Sequence, residues 1–201
     1  MDYIRDLDID PRPKLASALL FALHRERIDY VRRPTIKEYE AAGFLYPHVE
    51  QGFLDQMYGA AFTPATLDAI GEAIRDRRIR GSTLVTCVGR TPERDSLPQA
   101  ADYLLTLEGI NTVLVFGLVD GTVHMSARSI DPRVDMGEIL TQAFGDVGST
   151  GGHQDMAGAQ IPLGLFADHA DDDADVIPFV SKRVESRFFE AMRLEEESGP
   201  D

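Results

Sequence analysis

The chain has 201 residues, 43% hydrophobic and 27% charged, with a net charge of −14 and a pI near 4.7. That length suits one large or two small domains with a real core. So negative a surface repels long nucleic acid but leaves room for a short anion in a local positive pocket. Cys87 is the single cysteine, which excludes an intrachain disulfide and a zinc cysteine cluster. No apolar run is long enough to span a bilayer and no signal peptide is evident, so a cytoplasmic protein without membrane contact is expected. Only Lys14, Lys37 and Lys182 among the 20 basic residues are lysines. An acid-rich, lysine-poor surface suits hydration in high salt, and a halophilic, haloarchaeal origin is the expectation, with an ordinary acidic protein as the alternative.

Leu15, Ala18, Leu19, Ala22 and Leu23 recur at helical spacing over residues 14–27. Leu20 and Phe21 widen the stripe and predict a helix buried on most sides. Thr35 and Glu38 form a capping box for a helix that Pro47 ends near Tyr46. Phe53, Leu54, Met57 and Tyr58 mark a short helix. Thr63-Pro64 opens another, with Leu67, Ile70, Gly71 and Ile74 inward and Arg75–Arg78 as a solvated end. Beyond it the pattern alternates. Ser82–Val88 is β-rich. Ser96 and Gln99 form a second capping box, before a stripe of Leu97, Ala100, Ala101, Leu104 and Leu105 that Gly109 stops. Thr112–Val119 and Thr122–Ser129 are strands joined by Asp120-Gly121, a two-residue hairpin turn. Met136–Phe144 is a helix, Gly148–Gly158 a glycine-rich loop, Ala157–Ile161 a short strand, Asp168–Asp175 an acidic loop and 177–194 a last helix, followed by a disordered tail. The fold class is α/β: a helical N-terminal segment and a connector helix, then a mixed-sheet α/β domain with two or three packed helices.

The glycine-rich stretch, GSTGGHQDMAG, carries the most chemistry. Glycines permit positive φ and bare backbone. Successive N–H groups can then converge on an anion, to which His153 adds a proton or a hydrogen bond. On the strand Thr122–Ser129, His124, Ser126 and Arg128 share one face, and the arginine fork matches phosphate oxygens. The alternative for that row is a solvated sheet face. The expectation is that Gly151, Gly152 and His153 meet Arg128 at one anion. Their alternatives are a structural turn and a surface or capping histidine. His24 reads as a core histidine and His48 follows a helix-ending proline. His169 with Asp171, Asp172, Asp173 and Asp175 lacks calcium-loop spacing and reads as a solvated loop. No Walker loop or nucleophile elbow is present.

In order, LPQAADYLL (Leu97–Leu105), LEGI (Leu107–Ile110), VFG (Val115–Gly117), SARS (Ser126–Ser129) and GGH (Gly151–His153) resemble the DHH-associated C-terminal domain of the DHH phosphoesterase family, of the nanoRNase and exopolyphosphatase-related type, over residues 79–194. Met156 departs from the small residue usual in that series. The resemblance implies a metal-dependent hydrolase in which Ser126, Arg128, Gly151, Gly152 and His153 hold the phosphate or terminal nucleotide. The implied ligands are a short anionic nucleotide or oligonucleotide, or polyphosphate. The implied cofactor is Mn2+ in the intact enzyme, with none held by this chain alone. The N-terminus resembles the end of the family's catalytic DHH domain. There, a helix like Leu15–Leu23 leads to an aspartate that ligates manganese. This chain has His24-Arg25-Glu26-Arg27 instead, which leaves Glu26 as a substitute oxygen ligand. The other metal-binding aspartates and the Asp-His-His motif have no counterpart here and would lie upstream of Met1. The expected organisation is a DHH-type tail over 1–62, a connector helix over 63–78, the substrate-binding domain over 79–195 and a disordered tail over 196–201. The expected partners are the upstream DHH domain and, as one assembly, a second copy in a homodimer. The function implied is the substrate-binding portion of a phosphoesterase; the alternative is a degenerate, non-catalytic nucleotide-binding or assembly module.

Overall fold

Residues 10–25, 34–59, 62–164 and 173–194 are described by the computed structural model. The chain divides into two units, residues 1–61 and 62–201. Glu26, His169, Asp171, Asp172 and the tail from 195 onward lie outside the described residues.

The first unit is helical where described. It comprises α1 (Pro13–Leu23), α2 (Ile36–Leu45), a 3-10 turn (Tyr46–His48) and α3 (Gln51–Tyr58). Glu38 caps α2 as its spacing predicts, its carboxylate accepting from the Thr35 N–H at 2.7 Å. Ala16, Leu20, Leu45 and Leu54 form the core. The buried Ser17 hydroxyl donates to the Pro13 carbonyl and accepts from the Glu50 N–H, both at 2.9 Å, which ties α1 to the start of α3. The expectation that α1 is buried on most sides is corrected. Leu15 and Ala22 are exposed, the Ala16–Ser17–Leu20 side is buried, and Leu19 and Phe21 pack half-buried against its core. Three short helices bury one stripe each, whatever the composition of the other faces. His24 is half-buried at the end of α1, edge-on to the Tyr58 ring.

The second unit is a six-stranded mixed sheet between helices. It runs α4 (Pro64–Arg75), β1 (Arg78–Arg80), β2 (Thr83–Arg90), α5 (Ser96–Leu104), β3 (Thr112–Val119), β4 (Thr122–Ser129), α6 (Met136–Phe144), β5 (Ser149–Gly152), β6 (Met156–Pro162) and α7 (Asp173–Ala191). The strand order is β1-β2-β3-β4-β6-β5. Only β2 and β3 are parallel, because α5 forms the crossover between them; the other neighbours are antiparallel. Asp120 and Gly121 both take positive φ, 46° and 72°, as a type I′ hairpin turn requires.

Three local readings change. The inward face of α4 is Thr66, Ala69, Ile70 and Ala73, one position away from the expected set, and Leu67 and Ile74 are exposed. Small residues face the sheet there because the helix lies close to β2. The charged Arg75–Arg78 stretch is not one solvated helix end, since Arg78 begins β1, which turns at Gly81 to pair with β2. The capping box at Ser96 does not form. Its hydroxyl turns back to the Glu93 carbonyl at 2.6 Å, and Gln99 donates to the Asp95 carbonyl instead.

The sheet's two faces are covered unequally. On one face Val85, Cys87, Leu114, Phe116, Met125, Ala127, Ala157 and Ala159 pack under α6 and α7 along the whole sheet. On the other, Leu84, Val88, Val113 and Val115 pack under α4 and α5, and this core stops at β3. Phe116 is fully buried at the middle of the first face. Phe116→Ala is expected to cost about 3–5 kcal/mol, read by chemical denaturation; a loss below about 1 kcal/mol would show that this layer is not the principal core.

Candidate anion-binding site

The apolar core under α4 and α5 stops at β3, and beyond the contact of α5 with β4 that face is open. Its floor follows from strand register. Arg128 pairs with Met156, Ser126 with Gly158 and His124 with Gln160 across β4 and β6. Gly158 pairs with Gly151 and Gln160 with Ser149 across β6 and β5. The His153 N–H donates to the Met156 carbonyl at 2.7 Å, which extends the first row. The result is three rows on one face: Arg128–Met156–His153, Ser126–Gly158–Gly151 and His124–Gln160–Ser149. All nine residues line one open cavity of about 510 Å3, walled by Arg94, Asp95, Leu97 and Pro98 from α5 and the segment before it. Each row spans two strand spacings, about 10 Å, and the outer rows stand about 13 Å apart.

The middle row is shallow. Ser126 is buried, and a Cβ added to Gly151 would meet nothing within 4 Å, so the glycine leaves space above the floor. Gly152 is glycine for another reason: a Cβ there would overlap the Ala157 Cα and Cβ on the adjoining strand. Neither residue has positive φ. The expected loop of converging N–H groups is therefore corrected to a strand of a hairpin, β5 to β6, in which the His153 N–H is already engaged. Dense glycine serves flatness and close packing here rather than a left-handed turn.

Arg128 is anchored. Its Nε donates to Asp102 Oδ1 at 2.7 Å, and its Nη1 donates to Ser126 Oγ and to the Ala127 carbonyl, each at 3.0 Å. Among the described residues Nη2 makes no hydrogen bond. The fork is thus oriented by a half-buried carboxylate from the second turn of α5, with donors left at the cavity. The start of α5 offers no backbone donors. The Ser96 and Leu97 N–H groups donate to the Glu93 and Arg94 carbonyls, and Pro98 has none. An anion here meets side chains. At the far row, burial and the positive charge of Arg94 hold the His124 imidazole below its ordinary value, against a smaller opposing pull from Asp120.

The structure thus brings Ser126, Arg128, Gly151, Gly152 and His153 to one cavity. Asp102, Arg94 and Gln160 were not singled out from sequence. Asp102 sits within the apolar helix LPQAADYLL, and an acidic residue there was the available signal. Among the described residues no three His, Cys, Asp or Glu side chains converge so as to hold a metal ion. They do not fit a resident metal, and no step below runs through one. No helix among them is long and apolar enough to cross a membrane.

Residues 62–164 and 173–194 form a helix-backed mixed-sheet α/β domain with an open, arginine-bearing patch. Residues 80–186 match the DHHA1 domain, and the chain belongs to that family, the DHH-associated domain of DHH-type proteins. An uncharacterized protein of Methanocaldococcus jannaschii, MJ1633, is 36% identical over 197 residues, which cover 97% of this chain and 40% of that protein. The chain therefore spans about two-fifths of the length of that curated relative. An exopolyphosphatase-related protein of Bacteroides fragilis shares the fold, with a TM-score of 0.57 at 9% identity over 80% of this chain and 46% of that one. RecJ of Thermus thermophilus, solved with Mn2+, aligns over 91% of this chain and 24% of its own at 16% identity, with a TM-score of 0.44.

Two outcomes follow from the geometry. Gly152→Ala is expected to destabilise the fold by about 1–3 kcal/mol through the overlap with Ala157, while Gly151→Ala leaves the melting temperature within about 2 °C. Equal melting of the two variants would remove the packing account of Gly152. The lowered His124 value also has a pH sign. The unfolded chain takes up a proton near the ordinary value of 6.5, which the folded chain resists, so stability falls as pH drops below it. His124→Gln is expected to flatten that part of the melting-temperature profile between about pH 7 and 5.

Proposed function

We propose that this chain is the substrate-binding portion of a DHH-family phosphoesterase, and that it holds a phosphate group of a short nucleotide, oligonucleotide or polyphosphate. Membership of the DHHA1 family supports the class. The observation that carries the reading is Arg128, fixed by Asp102 and Ser126 at the uncovered face of the sheet with donors directed to the cavity. A preoriented guanidinium loses little freedom on meeting a phosphate, to which its Nη2 donates a charge-assisted hydrogen bond. His153 stands in the same cross-strand row and supplies a donor from the other side. Gly151 keeps the floor between them clear. A volume of about 510 Å3 suits a nucleotide-sized ligand. In a phosphoester hydrolysis the role of such a patch is to hold the substrate and stabilise charge on the phosphoryl oxygens. The Mn2+ that such enzymes use would supply water activation from the DHH domain, outside the residues described here.

Calorimetric titration of a 5′-phosphorylated dinucleotide in potassium chloride tests this directly. Arg128→Ala is expected to weaken binding by about 10–100-fold and His153→Ala by about tenfold. Asp102→Asn, which keeps a hydrogen-bond acceptor but removes the charge, is expected to cost less than Arg128→Ala. Unchanged affinity in correctly folded Arg128→Ala would overturn the assignment and leave the patch as scaffold.

A further inference from the structure

The helix α4 is apolar on two sides. Thr66, Ala69, Ile70 and Ala73 are buried toward the sheet. Leu67, 57% exposed, and Ile74, 39% exposed, stand on a second side, seven residues apart. Gly71 lies between them there, and a Cβ added to it would meet only Arg75 Nη2, at 3.9 Å. A glycine inside a helix lowers its stability relative to alanine, and packing among the described residues gives no reason for this one. Asp68 and Arg75, both exposed, border the same side on its other flank, again seven residues apart. The apolar surface continues onto β1. Ile79 is 46% exposed and faces the α4 side of the sheet, since it pairs with Leu84 of the core beneath α4 and α5.

We propose that this side of α4 is a dimer interface, on which α4 of a second copy lies antiparallel across a two-fold axis at Gly71. The pattern is self-complementary. A two-fold axis perpendicular to a pair of antiparallel helices sets each flank of one helix against the same flank of the other, with heights reversed. With the axis at Gly71, Leu67 meets Ile74 of the second copy, and Ile74 meets its Leu67. On the other flank Asp68 meets Arg75 of the second copy, and Arg75 meets its Asp68. One register serves both flanks because both pairs share the same spacing, two helical turns or about 10 Å. At the crossing glycine meets glycine, which lets the two backbones approach closely.

The charges choose the occupant. The Asp68 carboxylate makes no hydrogen bond or ion pair with a described residue, and Arg75 is paired with Glu72 on its own helix, outside the apolar stripe. A parallel second helix would set the charged flank of one copy against the apolar flank of the other, which desolvates charge without pairing it. The antiparallel one matches apolar to apolar and acid to base at once. A foreign helix would have to carry the same four residues in the same order, and the second copy already does.

Sedimentation equilibrium of the 201-residue chain tests this, over a concentration series from about 1 to about 200 µM. Potassium chloride is held constant to screen the repulsion between two chains of net charge −14. A monomer–dimer equilibrium is expected. Leu67→Asp is expected to weaken it at least about tenfold, with thermal melting showing that the variant folds. Asp68→Arg and Arg75→Asp are each expected to weaken it about fivefold, and the double variant Asp68→Arg/Arg75→Asp to recover the unmodified affinity within about twofold, because the pair is reciprocal across the axis. A dimer that Leu67→Asp leaves intact would overturn the proposal by placing the contact elsewhere. Failure of the double variant to recover would overturn the antiparallel register at Gly71. A chain that stays monomeric throughout would overturn the proposal outright. A lowered melting temperature in Leu67→Asp would then assign this side of α4 to a contact within the chain, and an unchanged one to a different partner or to solvent.

Discussion

The unequal covering of one sheet is the constraint from which the site follows. A sheet with two apolar faces must bury both, and here α6 and α7 close one of them completely. The opposite face is closed by α4 and α5 over β2 and β3. Past β3 the residues of that face change character, to His124, Ser126 and Arg128 on β4 and to Gly158 and Gln160 on β6. The α5 helix overlies part of the β4 row, so Ser126 is buried and Arg128 nearly so, and the face opens beyond it over β6 and β5. The cleft is therefore the unroofed part of a layer whose other half is ordinary core, which makes its floor as rigid as the sheet itself.

The Arg128–Asp102 pair joins those two halves. Asp102 belongs to the helix that covers the core, and Arg128 to the strand that floors the cleft. A half-buried charge pair of this kind contributes little net stability, since desolvation offsets much of the attraction. Its consequence is orientation. With Nε and Nη1 engaged, the guanidinium cannot turn freely, and Nη2 meets no protein acceptor among the described residues. The carboxylate that anchors the arginine also lowers the local positive field. The patch then presents oriented donors more than net positive charge, on a chain of net charge −14.

The sequence disclosed architecture better than it disclosed contacts. The strands Thr112–Val119 and Thr122–Ser129 and the helix Met136–Phe144 were legible to the residue, because a D-G turn and a Gly stop frame them. The mixed-sheet α/β class followed from the alternation after residue 80. What sequence could not show was which face of α4 turns inward, since Leu67 and Ile74 outweigh Ala69 and Ala73 in hydropathy but not in fit against β2. The three-residue β1 carries too short a pattern to detect. Ser126, Arg128, Gly151, Gly152 and His153 were named from the family resemblance and the alternation of β4. Asp102 and Arg94 were not, because the partner of Asp102 lies 26 residues away and Arg94 stands at the cavity wall with no local pattern to mark it.

The glycines illustrate why motif and mechanism must be separated. GSTGGH reads as a phosphate-cradling loop if its glycines take left-handed torsions. They are extended instead, and the two adjacent glycines answer different demands, Gly152 for the approach of Ala157 and Gly151 for clearance above the floor. The loop that would have held an anion by backbone N–H groups becomes a flat platform. Polar side chains stand on either side of it: Arg128 and His153 on one flank, His124 and Arg94 on the other. The separation of those flanks is set by backbone geometry, four residues of a paired strand, and changing it would require shifting the register of β4 against both of its neighbours.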